Sequence, residues 1–204
     1  MPYSDFKTID DILAQFEVTI SSGESLFKTA PEVVISPELA KMLDTTVPLA
    51  LNINTEKARS ELIIAPLLVE VRNLLDRKIS LFSGIDFSVD ASRNLNGFCD
   101  FLLSYSRDQA FLQVPVICIV EAKNENLKAG YAQCMAEMLA AQLYNGQKSH
   151  PMAWILGVVT TGSNWKFLTL EQATFAIDFD EYMIVQANKI LGIFVEGIHR
   201  ITGQ

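Results

Sequence analysis

The chain has 204 residues, half of them hydrophobic, enough to bury one substantial core, and no run reaches the ~20 apolar residues that a membrane span needs. Its 16 basic residues are outnumbered by 24 acidic ones, giving a formal charge of −8, and no basic run is present, a balance unlike that of a typical nucleic-acid binder unless the acids concentrate away from the cleft. The start, Met1-Pro2-Tyr3-Ser4-Asp5, lacks the basic and then apolar segments of a secretory signal, and Cys99, Cys118 and Cys134 show neither paired spacing nor a zinc pattern. A reducing, cytoplasmic setting is therefore expected.

Taken in chain order, Thr8-Ile9-Asp10-Asp11 opens a short helix ending near Phe16, followed by a strand-like 17–20 and a polar turn at 21–24. Ser36-Pro37-Glu38 is a helix start with proline at the first position, leading Leu39 to Leu43. Residues 45–54 are expected to link this part to a long helix over 55–77, interrupted or kinked at Pro66. Strands are expected at 79–89, 97–103 and 116–123, a helix at 129–144, and strands near 153–161 and 165–170. The stretch 107–109 reads as a plain turn. The last segment, 180–201, is a strongly amphipathic helix, with Ile184, Ala187, Ile190, Leu191, Phe194, Ile198 and Ile201 recurring at helical spacing. Its apolar face covers the core or forms a homodimer interface. The whole is read as one α/β domain: an elaboration at 1–54, a core at 55–170, and a C-terminal strand and helix at 171–204.

Chemistry concentrates in the two central strands. Asp100 interrupts Gly97-Phe98-Cys99-Asp100-Phe101-Leu102-Leu103, and Glu121 and Lys123 close Val116-Ile117-Cys118-Ile119-Val120-Glu121-Ala122-Lys123. Both runs have the apolar character of buried strands. Alternation puts Glu121 and Lys123 on one face, roughly 7 Å apart. Burying charge without compensation is expensive, and a shared divalent cation would offset that cost. A plain Glu–Lys pair on an exposed edge is the ordinary alternative, but the apolar residues before Glu121 argue against an exposed edge.

Asp100, twenty residues, then Glu121-Ala122-Lys123, set on consecutive strands between two helices, resembles the PD-(D/E)XK nuclease superfamily. The resemblance covers roughly 55–170. The segment Val159-Thr160-Thr161-Gly162-Ser163-Asn164-Trp165-Lys166-Phe167 is also similar to a strand–turn–strand of nuclease domains in restriction motor subunits. One departure is Cys99 where the family name has proline. The resemblance implies a restriction-endonuclease-like fold, a central mixed sheet flanked by helices, and Mg²⁺-dependent hydrolysis of nucleic acid, DNA in the first place. Mn²⁺ can substitute for Mg²⁺ in this reading. Asp100, Glu121 and the backbone carbonyl of Ala122 would hold the metal, an all-oxygen set suited to a hard cation. Lys123 would orient or help deprotonate the attacking water and stabilise charge on phosphorus.

Two helper positions are implied as well. Gln133, on the helix after Lys123, would sit over the active strands, with Glu137 where some branches have Gln-x-x-x-Tyr. An acid of the first helix is expected near the metal; Glu56, Glu61 and Glu70 are available, and Glu61 is preferred. The acidic balance leaves room for a partner subunit or dimer that completes the binding surface, and for a rival reading in which the fold is catalytically retired and serves as a binding or regulatory protein. His150 and His199 are too few and too distant in sequence for a His-based catalytic site.

Overall fold

The structure, a computed structural model, describes residues 2–203. Its framework is a mixed eight-stranded sheet with helices on both faces. The strands are β1 (Thr19–Ser22), β2 (Ser80–Asp86), β3 (Phe98–Ser104), β4 (Val116–Ala122), β5 (Trp154–Thr160), β6 (Asn164–Glu171), β7 (Thr174–Ile177) and β8 (Tyr182–Met183), in the order β1-β7-β6-β5-β4-β3-β2 with β8 beside β6. β2, β3 and β4 form an antiparallel meander; β4 and β5 are parallel, as are β1 and β7, and the remaining pairs are antiparallel. Every residue of β4 and β5 is buried, the condition under which strands read as unbroken apolar runs.

The helices are α1 (Ile9–Gln15), α2 (Pro37–Ile53), α3 (Glu56–Arg59), α4 (Ala65–Leu74), α5 (Tyr131–Gln147) and α6 (Ala187–Thr202). One face of the sheet is covered by α2, α4 and α6, where Leu67, Leu68, Val71, Ile190 and Phe194 meet Phe101, Val120, Leu156 and Phe167. The other is covered by α1 and α5, where Ile12, Met135 and Met138 meet Leu102, Ile119, Ile155 and Leu168. The small residues Ala136, Ala140 and Ala141 are fully buried, so α5 lies close to the sheet. Asn145 of α5 holds the first peptide of β4 like a neighbouring strand, accepting from Val116 N–H (2.8 Å) and donating to its carbonyl (2.7 Å). Because β1 pairs with β7 within the same sheet, the N-terminal and C-terminal elaborations are parts of the core and not appendages.

Several sequence expectations need correction. Residues 45–54 are not a link: α2 runs on to Ile53, through Pro48, and ends at Asn54 in the left-handed region. Thr45, Thr46, Val47 and Pro48 are poor helix formers, but burial of Leu43 and Ala50 overrides that weak preference. The helix expected over 55–77 runs from α3 through a π-helical turn, Ser60–Ile64, into α4. The interruption expected at Pro66 is this turn. Pro66 has no N–H to offer the preceding turn, and the carbonyl of Leu62 is satisfied by the Thr46 hydroxyl at 2.7 Å. β2 ends at Asp86, β1 lies at 19–22, and α5 starts at Tyr131 after a 3₁₀ turn, Leu127–Gly130. The C-terminal helix starts at Ala187, so Ile184 belongs to a 3₁₀ turn. The stretch 107–109 also does more than turn: Gln109 exchanges side-chain hydrogen bonds with Leu81 N–H and carbonyl, occupying the open edge of β2.

Tight backbone contact gives a stability prediction. A Cβ on Gly192 of α6 would lie 1.8 Å from the carbonyl oxygen of Pro31, whereas a Cβ on Gly146 of α5 meets nothing within 4 Å. Gly192→Ala is expected to destabilise by about 3 kcal/mol or more, since backbone must move. Gly146→Ala is expected to be neutral or to stabilise by up to about 1 kcal/mol. Denaturant unfolding of the two variants checks both; equal effects would contradict this packing.

Candidate active site

Asp100 and Glu121 meet because of strand register. Phe101 pairs with Val120 and Leu102 with Ile119, which puts Asp100 across from Glu121 at the end of the β3–β4 ladder. Val120 and Ala122 pack on the α4 and α6 side, so Glu121 between them turns toward α5. Alternation along β3 breaks here: Cys99 and Leu102 both pack on the α5 side while Phe101 packs on the opposite one. The β2 ladder pairs Ser83 with Phe101 and resumes at Ile85 with Cys99, with Gly84 between them at φ +59°. At this irregular point the half-buried Asp100 aims its carboxylate at β4, where its Oδ2 accepts the Ala122 N–H at 2.8 Å.

Lys123 lies one residue beyond β4. Its N–H donates to the Thr160 carbonyl at 2.8 Å, which continues the parallel pairing and fixes where the side chain leaves the sheet. The ammonium donates to Glu121 Oε1 and, at 3.2 Å, to Gln133 Oε1. Gln133 Nε2 in turn donates to Glu137 Oε1 at 3.1 Å, one helical turn further along α5. Gly130 makes this closeness possible: a Cβ there would stand 2.6 Å from Val159 Cγ1 and 3.1 Å from Lys123 Cγ.

The electrostatics are lopsided. Glu121 is 1% exposed and Glu137 0%. Burial, reinforced by the nearby Asp100 charge and opposed by Lys123, pushes Glu121 up to about 8. Burial and the Glu121 charge raise Glu137 well above the usual carboxylate range. Burial works against the Lys123 ammonium, yet the charges of Glu121, Glu56 and Asp100 and the bond to Glu121 outweigh it, so its pKa is raised and it stays charged. Glu121 Oε2 and Glu137 Oε2 are buried with no hydrogen-bond partner. Other buried acids contrast with them. Asp178 accepts from Leu26 N–H, Asp180 N–H and the Tyr182 hydroxyl, and Glu70 accepts the Ser36 N–H at 2.8 Å.

The structure therefore brings together Asp100, Glu121, Ala122, Lys123 and Gln133, and it does not bring Glu61 to them. Glu61 is largely exposed, ion-paired with Lys57 at 3.8 Å, and borders a groove between α2 and α4. The acid of the first helix that faces the cluster is Glu56, at the start of α3. Its pKa is raised by desolvation and by Asp100 against the pull of Lys123 and of the nearby Asn124 main chain. Glu61, the acid preferred from the helical pattern, lies within the π turn Ser60–Ile64, where α-helical spacing does not hold. Glu137, noted in the sequence only as a departure from a family pattern, is the bonded i, i+4 partner of Gln133; Gly130 carried no signal of its own.

Among the described residues, no group of three or more His, Cys, Asp or Glu side chains is arranged to hold a metal ion. What the cluster offers is two carboxylates, Asp100 and Glu121, with the Ala122 main chain between them. The unpartnered Glu121 Oε2 and the all-oxygen donors fit a hard cation that keeps several of its own waters.

Glu121 gives a pH prediction. The folded state holds its proton up to about 8, the unfolded chain releases it near 4.5, and folding thus takes up a proton between these values. Stability is full below pH 4.5 and falls as pH rises through 8. In chelator, the stability of Glu121→Gln relative to the native chain is expected to improve from pH 5 to pH 8, read from denaturant midpoints. A difference independent of pH would contradict the raised pKa.

Neither a model of a known protein family nor a curated protein matches this chain.

Proposed function

We propose that this protein is a metal-dependent nuclease of the PD-(D/E)XK type, hydrolysing phosphodiesters of nucleic acid, DNA in the first place. The observation that carries the reading is the buried Glu121, opposite Asp100, bonded to the Lys123 ammonium through one oxygen and keeping the other without a partner. Supporting it is the order of elements around the site: a first helix, the β2–β3–β4 meander, the α5 crossover to a parallel β5, and the antiparallel β6. That order is the one expected of a restriction-endonuclease-like core.

In this reading Asp100, Glu121 and the Ala122 carbonyl hold Mg²⁺, or Mn²⁺ in its place. When bound, the cation would supply Lewis-acid stabilisation of charge developing at phosphorus and a more acidic water. Lys123 orients or helps deprotonate the attacking water and stabilises negative charge; with no cation bound, the surrounding acids raise its pKa and keep it an ammonium. Gln133 positions Lys123, and its own amide is set by Glu137. Glu56 takes the role expected of Glu61. The −8 charge is answered in part by a cation at the site and by a partner subunit that extends the binding surface.

A second reading, a catalytically retired fold member that binds or regulates, is favoured by that acidic balance and by the ammonium already resting on Glu121. A panel of plasmid, linear duplex, single-stranded DNA and RNA, incubated with Mg²⁺ or Mn²⁺, separates the two. The native chain is expected to cut, and Lys123→Ala and Asp100→Ala each to lose about 10²-fold or more. Cutting that persists in both variants, or none by any preparation, would contradict the nuclease reading.

A further inference from the structure

A well-formed concave surface lies away from the acid cluster. A groove of about 720 Å³ runs between α2 and the π turn and α4, and of the acids weighed for the metal site it contains Glu61 and Glu70. From α4 and the turn before it come Glu61, Ala65, Val69 and Asn73, each four residues from the last. From first to last this row spans twelve steps, or roughly 18 Å at ~1.5 Å rise per residue. Leu39 and Met42 of α2 form the facing wall. Met42 is 46% exposed and Val69 49%, large apolar side chains that the chain itself leaves uncovered. The wall is held in shape by Glu70, which accepts the Ser36 N–H at the start of α2, and by the Thr46 hydroxyl on the Leu62 carbonyl.

Charge decides what fits. Glu38, Glu61 and Glu70 line the groove, and no Lys, Arg or His does. A nucleic acid or an anionic lipid surface would meet like charge there. So would a second copy of a chain carrying −8. We propose that this groove docks a partner protein through an amphipathic helix of about three turns, its apolar side on Met42 and Val69 and its flanking Lys or Arg residues against Glu38 and Glu61. The site stands apart from the acid cluster, and the proposal holds whether or not the chain is a nuclease. It also gives Glu61 a role that its distance from the cluster otherwise denies it.

The test uses the whole chain and defined peptides: a Leu/Lys amphipathic helix of about 18 residues, its Leu/Glu twin, and a shuffled Leu/Lys sequence. Affinity is read from fluorescence anisotropy and location from amide chemical shifts. The Leu/Lys helix is expected to bind with shifts confined to residues 36–42 and 61–74, while its twin and the shuffled peptide bind far more weakly. Val69→Lys and the double variant Glu38→Lys/Glu61→Lys, both at exposed positions, are expected to weaken it about tenfold or more. Absence of binding, shifts elsewhere, equal binding of the twin or shuffled peptide, or unchanged affinity in these variants would overturn the proposal. Self-association of the native chain that is abolished by Val69→Lys would overturn it as well, by naming a second copy as the occupant.

Discussion

The structure turns on one unfavourable act, the burial of the Glu121 carboxyl at the end of the innermost strand pair. A lone ionised carboxylate in such a place would cost several kcal/mol, and like charges on opposed strand positions add to the cost. Lys123 offsets part of it from two residues along the chain, and the proton that Glu121 retains to about 8 offsets more. Around this pair the chain is arranged to hold the groups close: Gly130 lets the turn before α5 press on Lys123, Gln133 accepts a second bond from its ammonium, and the irregular pairing of β2 and β3 around Gly84 and Asp100 leaves Asp100 aimed at the next strand. Proteins retain such arrangements where a site needs charge in a low-dielectric setting.

The scaffold behind the site is rigid. β4 and β5 are buried on every residue and clamped at the far end by Asn145, while the turn between β5 and β6 is tied to the first helix by Arg59. That guanidinium is buried, donating to the Thr161 carbonyl at 2.8 Å and to Asn54 Oδ1 at 2.8 Å. The end of α2, the start of α3 and the β5–β6 turn are thereby one unit, and Glu56, three residues before Arg59, is held at the rim of the acid cluster. Four acids, Glu56, Asp100, Glu121 and Glu137, thus share the field of one lysine. The imbalance invites a cation.

Much of this was legible in the sequence. The apolar runs ending in Asp100 and Glu121-Ala122-Lys123 marked both central strands, and alternation placed Glu121 and Lys123 on one side, where they do meet. The amphipathic stripe of α6 and the proline-started α2 were readable for the same reason: local pattern and burial agree. What escaped depended on distant partners. α2 continues past Pro48 because its buried face is held by the core, and the π turn before Pro66, which contains Glu61, receives a hydroxyl from Thr46 of another helix on its Leu62 carbonyl. No periodicity announces such a compensation. The closeness permitted by Gly130 is likewise a tertiary fact.

The central claim is that Asp100 and Glu121 form a cation site, and a calorimetric titration with Mn²⁺ and Mg²⁺ tests it most directly, without reference to any substrate. The account predicts saturable binding of one ion per chain, released protons as Glu121 gives up its own near pH 7, and loss of both signals in Asp100→Ala. Binding that is absent in the native chain, or equal in the variant, would contradict it.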